Sequence, residues 1–293
     1  MADAHISISP VPDAPAGTAT LTERAHAFPG LTLAEDEKAP GALELAVCRR
    51  ITFFALLVYC ALGAFLILYA SARLIPNQWE NTYPESPHVW AALHAAETGR
   101  LYVPYTQSPY VLESYGPLYY IVNAAMALAA HANLHQNIQL FVIVARTVTF
   151  VCFLTCGTLV FLICRRLSIS RWLAALAALM LFGQPSFFHS VVTVRPDMMF
   201  LAAMTLSLFV AVAQESPAPW MCVLAGALGG IAFLIKQPGA AVVIAIALVW
   251  ILHKQFKQTV LLIAGVAAPV MVVLAARQEQ DFPRSGCLAG RRS

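Results

Sequence analysis

Charge is scarce in this chain. Asp, Glu, Lys and Arg make up 11% of its 293 residues, whereas they make up about a quarter of a typical soluble protein. Apolar residues account for 59% of the sequence, and the mean hydropathy is +0.70. A soluble fold cannot hide so many apolar side chains from water. The composition therefore excludes an ordinary soluble domain.

Several segments lack Asp, Glu, Lys and Arg altogether. Each is near the roughly 17–25 residues that a helix needs to cross a bilayer, and the runs lack the alternation of apolar and polar residues typical of membrane strands. They comprise residues 51–72, 147–164, 172–194, 198–214, 216–235, 237–253 and 258–276. The sequence therefore predicts an all-α multi-pass membrane protein with about seven transmembrane helices.

Other absences narrow the function. The net charge is only +3 and no basic stripe is interleaved with aromatics, which argues against a nucleic-acid partner. The seven cysteines form no C-x-x-C pair and lie mostly in apolar segments, where thiols pack as small apolar side chains. No pair of histidines combines helical spacing with a set of carboxylates, so we predict no metal site from His88, His94, His131 and His135.

The polar residues that are present concentrate in residues 76–117. This segment holds most of the carboxylates of the apolar region, namely Glu80, Glu85, Glu97 and Glu113. Apolar residues repeat within it at helical spacing, at Val89, Trp90, Leu93 and Ala96. We expect a short amphipathic helix on the bilayer surface, with Glu85 at its start facing water.

Positive charges predict the topology. Arg49 and Arg50 precede the first span, which places the N-terminus in the cytoplasm and residues 76–117 outside. If residues 117–134 form a second helix along the outer interface, the next span returns inward, and the arginines after it, Arg165, Arg166 and Arg171, are cytoplasmic. The prediction is thus two outer-face interfacial helices in the first outer loop. The same choice places Arg195, Asp197 and Lys236 at the outer face.

Arg195, Pro196 and Asp197 stand between two apolar runs. Ionisable groups there are costly and often functional, although Asp197 also suits the positive N-terminal end of a helix that begins at this point. Lys236 ends another apolar run and precedes Gln-Pro-Gly, which breaks the helix. It is either a snorkelling lysine or a cation available to a lipid-linked phosphate.

Glu85 and the tyrosines of the outer loop are further candidates. A carboxylate near the head groups can accept a proton from a hydroxyl or amine nucleophile, or it can merely complement the dipole of its helix. Glu80 is a weaker rival for the same role. The segment from Tyr115 to Tyr120 suits the head-group belt and can also line a groove beside the membrane.

In this order the motifs resemble those of the C-type membrane glycosyltransferases. They are a carboxylate after the first span, a helix ending in G-x-L-Y, then Y-G-P-L-Y-Y, R-P-D and K-Q, across roughly residues 50–275. The nearest resemblance is to the superfamily of dolichyl-phosphate-mannose protein mannosyltransferases and aminoarabinose transferases. It implies transfer of a hexosyl- or pentosyl-type sugar from a polyprenyl-phosphate carrier to a lipid, glycan or protein acceptor, on the outer face of a bacterial inner membrane.

The resemblance also implies residue roles. Glu85 corresponds to the catalytic base, and Asp197 to an acidic residue at the membrane edge that shapes the active site. Lys236 corresponds to a lysine near the carrier phosphate, and Tyr115, Pro117 and Tyr120 to the segment flanking the carrier groove. Arg195 is a further candidate for substrate binding. Many relatives have an Asp-Glu pair where this chain has Pro84-Glu85. This departure leaves open the identity of the base and the involvement of a divalent cation, and no other cofactor is expected.

The ends of the chain differ from its middle. Residues 1–48 lack a core-forming pattern and predict a disordered cytoplasmic tail, followed by a membrane domain over residues 49–276. Residues 277–293 carry four arginines on the predicted outer side, against the usual charge bias. We expect a truncated family member with a frameshifted, non-family tail.

Two other functions are consistent with a chain of this kind. A secondary transporter fragment would place its charges near the midplane and show inverted repeats, whereas here the charges cluster at one face. A non-catalytic membrane assembly protein would bind the lipid carrier without transferring its sugar. An assay of sugar transfer separates both from the glycosyltransferase.

Overall fold

The computed structural model describes residues 42–78, 85–102, 115–214 and 217–281. The chain divides into two units, residues 1–51 and 52–293. Helix is the regular structure found in the described part of both, which confirms the predicted all-α class. The α-helices are α1 (Ala42–Leu74), α2 (Glu85–Thr98), α3 (Pro117–Ala129), α4 (Ile138–Arg166), α5 (Arg171–Phe182), α6 (Pro185–Val191), α7 (Asp197–Val212), α8 (Pro219–Ile235), α9 (Ala240–Leu252) and α10 (Phe256–Asp281).

Three helical segments are long and apolar enough to cross a membrane, namely Arg50–Leu74, Ile138–Arg166 and Phe256–Ala275. They correspond to the first, second and last of the predicted spans. The other apolar helices are shorter, so the predicted number of seven spans is not confirmed. These long apolar helices make the chain a membrane protein.

The run 172–194 was expected to be one span, and this expectation is wrong. Helix α5 ends at Phe182 and α6 begins at Pro185. Pro185 has no N–H to continue a helix, and Gly183 before it has a low helix propensity. A continuous uncharged run was therefore not a continuous helix.

Helices α8 and α10 pack closely at glycines. A Cβ on Gly226 would overlap with the carbonyl oxygen of Leu262, and one on Gly265 would overlap with that of Val223. Small residues let helix backbones approach in this way within a membrane. Helix α7 packs against both α4 and α8, so α4, α7, α8 and α10 form a continuous helical stack that carries the candidate site.

Helix α2 confirms the helix predicted after residue 84, while its position on the bilayer surface stays a prediction. Its buried residues include His88, Ala91, Ala92 and Ala95. Of the predicted apolar face, Leu93 is also buried and Val89 and Trp90 are half-buried. All three line a cavity of about 360 Å³. The apolar pattern had identified the helix, while its buried side is set by contacts with α3.

Both predicted tails lie largely outside the described residues. Of the disordered tail predicted over residues 1–48, the structure describes the part from Ala42, which is helical. Helix α10 continues to Asp281, and the rest of the predicted non-family tail lies outside the described residues.

Candidate active site

Asp197 lies at the first turn of α7 with two cations beside it. Pro196 precedes the helix and Asp197 is its first residue, as the sequence predicted. Lys236 Nζ donates a hydrogen bond to Asp197 Oδ1 at 2.5 Å, and Arg195 Nε lies 3.3 Å from Oδ2. These three residues are named the open cluster, because their side chains remain 17–27% exposed.

Two polar atoms of the open cluster lack hydrogen bonds. Among the described residues, neither Asp197 Oδ2 nor Arg195 Nε has a hydrogen bond, although both atoms are buried. The two atoms face each other as an ion pair at 3.3 Å, and a contact without a hydrogen bond leaves both with hydrogen-bonding capacity. A carboxylate between two cations also leaves one positive charge in excess. The open cluster is therefore suited to a ligand that brings an anion and a hydrogen-bond donor.

Lys236 reaches Asp197 because α8 ends before it. Its backbone is extended, with φ −153 and ψ 130, and a short 3₁₀ turn follows over Gln237–Gly239. The ammonium lies 5.6 Å from the ring centre of Tyr115 and 5.3 Å from that of Phe200. These are cation–π distances, so aromatic rings help to hold the cation on Asp197.

Gly116 holds the segment that contains Tyr115 against the C-terminal end of α8. Its N–H donates to the carbonyl of Ile235 at 3.1 Å, and a Cβ on Gly116 would overlap with the carbonyl oxygen of Leu234. Only glycine permits this approach. Tyr115 is thereby kept beside Lys236, as the motif order had implied.

Glu85 is not where the sequence placed it. It was expected to face water, but it is 2% exposed. Arg146 of α4 donates to both of its oxygens, from Nε at 2.9 Å and from Nη2 at 2.7 Å. The N–H of Val194 also donates to Oε1 at 2.8 Å. Glu85 and Arg146 are named the closed pair, since both are essentially removed from solvent.

The closed pair and the open cluster meet at Val194. While Glu85 accepts its N–H, the hydroxyl of Tyr119 donates to its carbonyl at 3.0 Å. Both polar groups of the residue before Arg195 are thus held by side chains from α2 and α3. These two hydrogen bonds fix the peptide that leads into Arg195.

His88 lies between the two groups of charges. Its ring is 4.8 Å from that of Tyr115, and among the described residues its buried Nε2 has no hydrogen-bond partner. Burial, with the nearby charge of Arg195, lowers the pKa of His88 to about 4, against the opposing effect of Asp197 and Glu85. His88 is therefore neutral at pH 7.

The remaining predicted residues have structural positions near the site. Pro117 opens α3, and Tyr120 is fully buried beside Tyr102 and Tyr119. No group of three His, Cys, Asp or Glu at metal-binding distance occurs in the part of the chain that the structure describes. Glu80 and Glu113 lie outside the described residues.

Sequence reasoning missed Arg146 and the position of His88. Arg146 is the only Lys or Arg in Ile138–Cys164, an otherwise apolar stretch of α4, and an ionisable residue inside such a helix signals a buried partner. The charge-based topology used only the arginines that follow the helix. His88 was weighed only as a metal ligand, whereas its contact is with an aromatic ring.

The arrangement can stabilise negative charge and accept a proton at neighbouring points. Arg195 and Lys236 are cations suited to phosphate oxygens. Asp197 has a carboxylate oxygen that no described residue occupies with a hydrogen bond. A group-transfer reaction at such a site would have a leaving group that gains negative charge, which the cations stabilise, and a nucleophile that loses a proton, which the carboxylate accepts.

Comparison with known proteins agrees with this chemistry. A model of the dolichyl-phosphate-mannose-protein mannosyltransferase family matches residues 120–276, which is more than half of the chain and contains Arg146, Arg195, Asp197 and Lys236. Searches of curated proteins and of solved structures gave no match. Together with its long apolar helices, the match shows that this chain belongs to the dolichyl-phosphate-mannose-protein mannosyltransferase family and is a membrane glycosyltransferase.

Proposed function

We propose that the chain transfers a sugar from a polyprenyl-phosphate carrier to a hydroxyl or amine of a lipid, glycan or protein acceptor at the outer face of the cytoplasmic membrane. The single observation that supports this most is the open cluster, with one excess positive charge and an Arg195–Asp197 ion pair whose facing atoms make no hydrogen bond among the described residues. Membrane lipids surround the helices that carry it.

The charge of the open cluster matches the donor. A polyprenyl-phosphate sugar is a phosphodiester with one negative charge, which one excess positive charge neutralises. As the bond from the sugar to the phosphate breaks, the phosphate gains further negative charge. Lys236 and Arg195 would stabilise that charge more strongly in the transition state than in the ground state, which is the requirement for catalysis.

Asp197 is the better proton acceptor of the two predicted carboxylates. Its Oδ2 accepts no hydrogen bond from a described residue, whereas Glu85 accepts three hydrogen bonds, two from Arg146 and one from Val194. In the proposed step the acceptor oxygen or nitrogen bonds to the anomeric carbon and its proton passes to Asp197. The bond to phosphate breaks, and the polyprenyl phosphate leaves.

Transfer can be tested with a defined donor. Purified protein in detergent is given farnesyl-phosphate mannose with a labelled sugar and a membrane extract that supplies acceptors, and movement of the label from the donor to the extract is followed at pH 7. Asp197→Asn should lower kcat on the order of 10²- to 10⁴-fold. Glu97→Gln, a carboxylate change outside the open cluster, is the matched control. Equal rates in wild type and Asp197→Asn would refute the mechanism.

The proposed orientation places the N-terminus in the cytoplasm and the open cluster outside, in a bacterial inner membrane. The 13 residues of α3 rise only about 20 Å, which supports an interfacial position over a full crossing. An alkaline phosphatase reporter fused after Gln136 should be active. Cytoplasmic behaviour of that fusion would refute the interfacial position of α3.

A further inference from the structure

We propose that Glu85 and Arg146 act as a positioning pair for the catalytic site, fixing Val194 and through it Arg195 and Asp197. This inference rests on the proposed function and assigns a role to Arg146, while it removes Glu85 from the role of proton acceptor. It is carried by hydrogen bonds that join four separate parts of the chain.

Arg146 ties Glu85 to the end of the first long helix. Its Nε and Nη2 bind the two carboxylate oxygens of Glu85. Its Nη1 donates to the carbonyl of Leu74 at 3.0 Å and to that of Asn77 at 2.7 Å. Those carbonyls belong to the C-terminal end of α1 and the residues after it. One guanidinium therefore joins α1, α2 and α4.

Glu85 passes this constraint to the R-P-D segment. Its Oε1 accepts the N–H of Val194, and Tyr119 holds the carbonyl of the same residue. Val191, Val192 and Val194 are at most 1% exposed. The peptide that leads into Arg195 is consequently fixed at both polar groups and packed on its side chains.

This geometry suits positioning better than proton transfer. Glu85 lines the cavity of about 360 Å³ beside α2, but it is 2% exposed and both of its carboxylate oxygens already accept hydrogen bonds, three in all. Buried ion pairs contribute little net stability relative to an apolar pair of the same shape, but they fix one arrangement. A displacement of about 1 Å in a catalytic group can cost on the order of 100-fold in rate, so an arrangement that fixes Arg195 has a direct kinetic value.

The test compares Glu85→Gln with wild type in the farnesyl-phosphate mannose assay, with rates normalised to folded protein. The amide keeps the shape of Glu85 but weakens its bonds to Arg146. We expect kcat to fall on the order of 10- to 100-fold, with the KM for the donor nearly unchanged. Glu85→Asp/Arg146→Lys, which keeps both charges with altered reach, should show the same pattern. A fall in kcat as large as that of Asp197→Asn, measured side by side, would make Glu85 the base and overturn the inference, as would an unchanged kcat per folded molecule.

A second measurement does not depend on transfer. Hydrogen–deuterium exchange of the peptide containing Val194 should be at least about tenfold faster in Glu85→Gln than in wild type, and unchanged in the control Glu97→Gln. If wild type transfers no sugar but this difference is found, the proposed function fails while the positioning role of the pair stands. If exchange at Val194 is the same in both proteins, the positioning role fails whatever the activity.

Discussion

The closed pair and the open cluster both hold a carboxylate between hydrogen-bond donors, yet they leave those carboxylates in different states. Glu85 and Arg146 are 2% and 1% exposed, with both carboxylate oxygens engaged. Asp197 is 17% exposed and one of its oxygens has no hydrogen bond among the described residues. The first satisfies its own polar atoms, and the second leaves capacity for a ligand.

This difference shows that the role of an acidic residue near a membrane active site depends on how many hydrogen bonds its carboxylate can still accept. A fully satisfied pair holds backbone segments in place, and its charge is cancelled by its partner. An incompletely satisfied cluster costs stability in the free protein and recovers it when a ligand binds. The two sites therefore predict opposite responses to mutation, one mainly in folding and the other mainly in catalysis.

The largest expected effect is on the closed pair. Arg146→Met leaves Glu85 buried without its cation, which should lower the free energy of unfolding by about 3–5 kcal/mol. Chemical denaturation in detergent measures it. The double variant Glu85→Gln/Arg146→Met should regain much of the loss, because no charge then remains buried. Arg165→Met, at an exposed arginine of the same helix, is the control, with an expected change within about 0.5 kcal/mol. Similar stabilities for Arg146→Met and Arg165→Met would contradict the closed pair.

The next effect is on the open cluster. Lys236→Ala removes the cation nearest Asp197, and we expect kcat with farnesyl-phosphate mannose to fall about 10²- to 10³-fold with a much smaller change in unfolding. Lys236→Arg should retain part of the rate, since the charge persists. Lys257→Ala, at an exposed lysine of α10, should leave kcat unchanged. A loss of stability as large as that of Arg146→Met would erase the distinction between the two sites.

A smaller effect is expected at Gly116. Gly116→Ala forces a methyl group against the Leu234 carbonyl, and overpacking of this kind costs about 1–3 kcal/mol. Because the strain falls beside Lys236, kcat should fall as well. Gly157→Ala is the comparison, since its new Cβ would meet only the movable ring of Phe182, at 3.1 Å. If both alanine variants behave alike, the close approach at Gly116 does not position the site.

The smallest effect is the pH dependence of His88. Its pKa is about 4 in the folded chain, below its usual value of 6.5. Between those values the unfolded chain binds a proton that the folded chain does not, so stability is lost as pH falls from 6.5 toward 4. We expect His88→Asn to weaken the fall in Tm from pH 7 to pH 5 by roughly 2–4 °C. His135→Asn, at an exposed position, should leave that fall as in wild type, and an equal change in both variants would contradict the burial of His88.

Much of the fold followed from local patterns in the sequence. Apolar runs identified the three long helices, Pro196 and Asp197 marked the start of α7, and the Gln-Pro-Gly sequence marked the end of α8. These signals act over a few residues, and the physics behind them is the capping and breaking of helices. The break after Phe182 was missed because only charge was used to divide the run.

The candidate site was predictable in composition but not in arrangement. The order of motifs predicted one shared site for Arg195, Asp197, Lys236 and Tyr115, and the structure brings these residues together. The burial of Glu85 could not be foreseen, because its partner Arg146 is 61 positions away and the donor from Val194 is 109 positions away. Contacts at that separation depend on how helices pack, which local patterns do not determine.

The shortness of α7 and α8 has a consequence for the surrounding lipid. With 16 and 17 residues, they rise about 24 and 26 Å, less than the roughly 30 Å of hydrocarbon in a typical bilayer. Asp197 begins one of them and Lys236 directly follows the other. Hydrophobic mismatch of this kind draws the bilayer thinner around short helices. In the proposed function, the length of the acyl chains would then set the depth at which the donor phosphate meets Lys236 and Arg195. The rate of transfer would therefore depend on lipid composition.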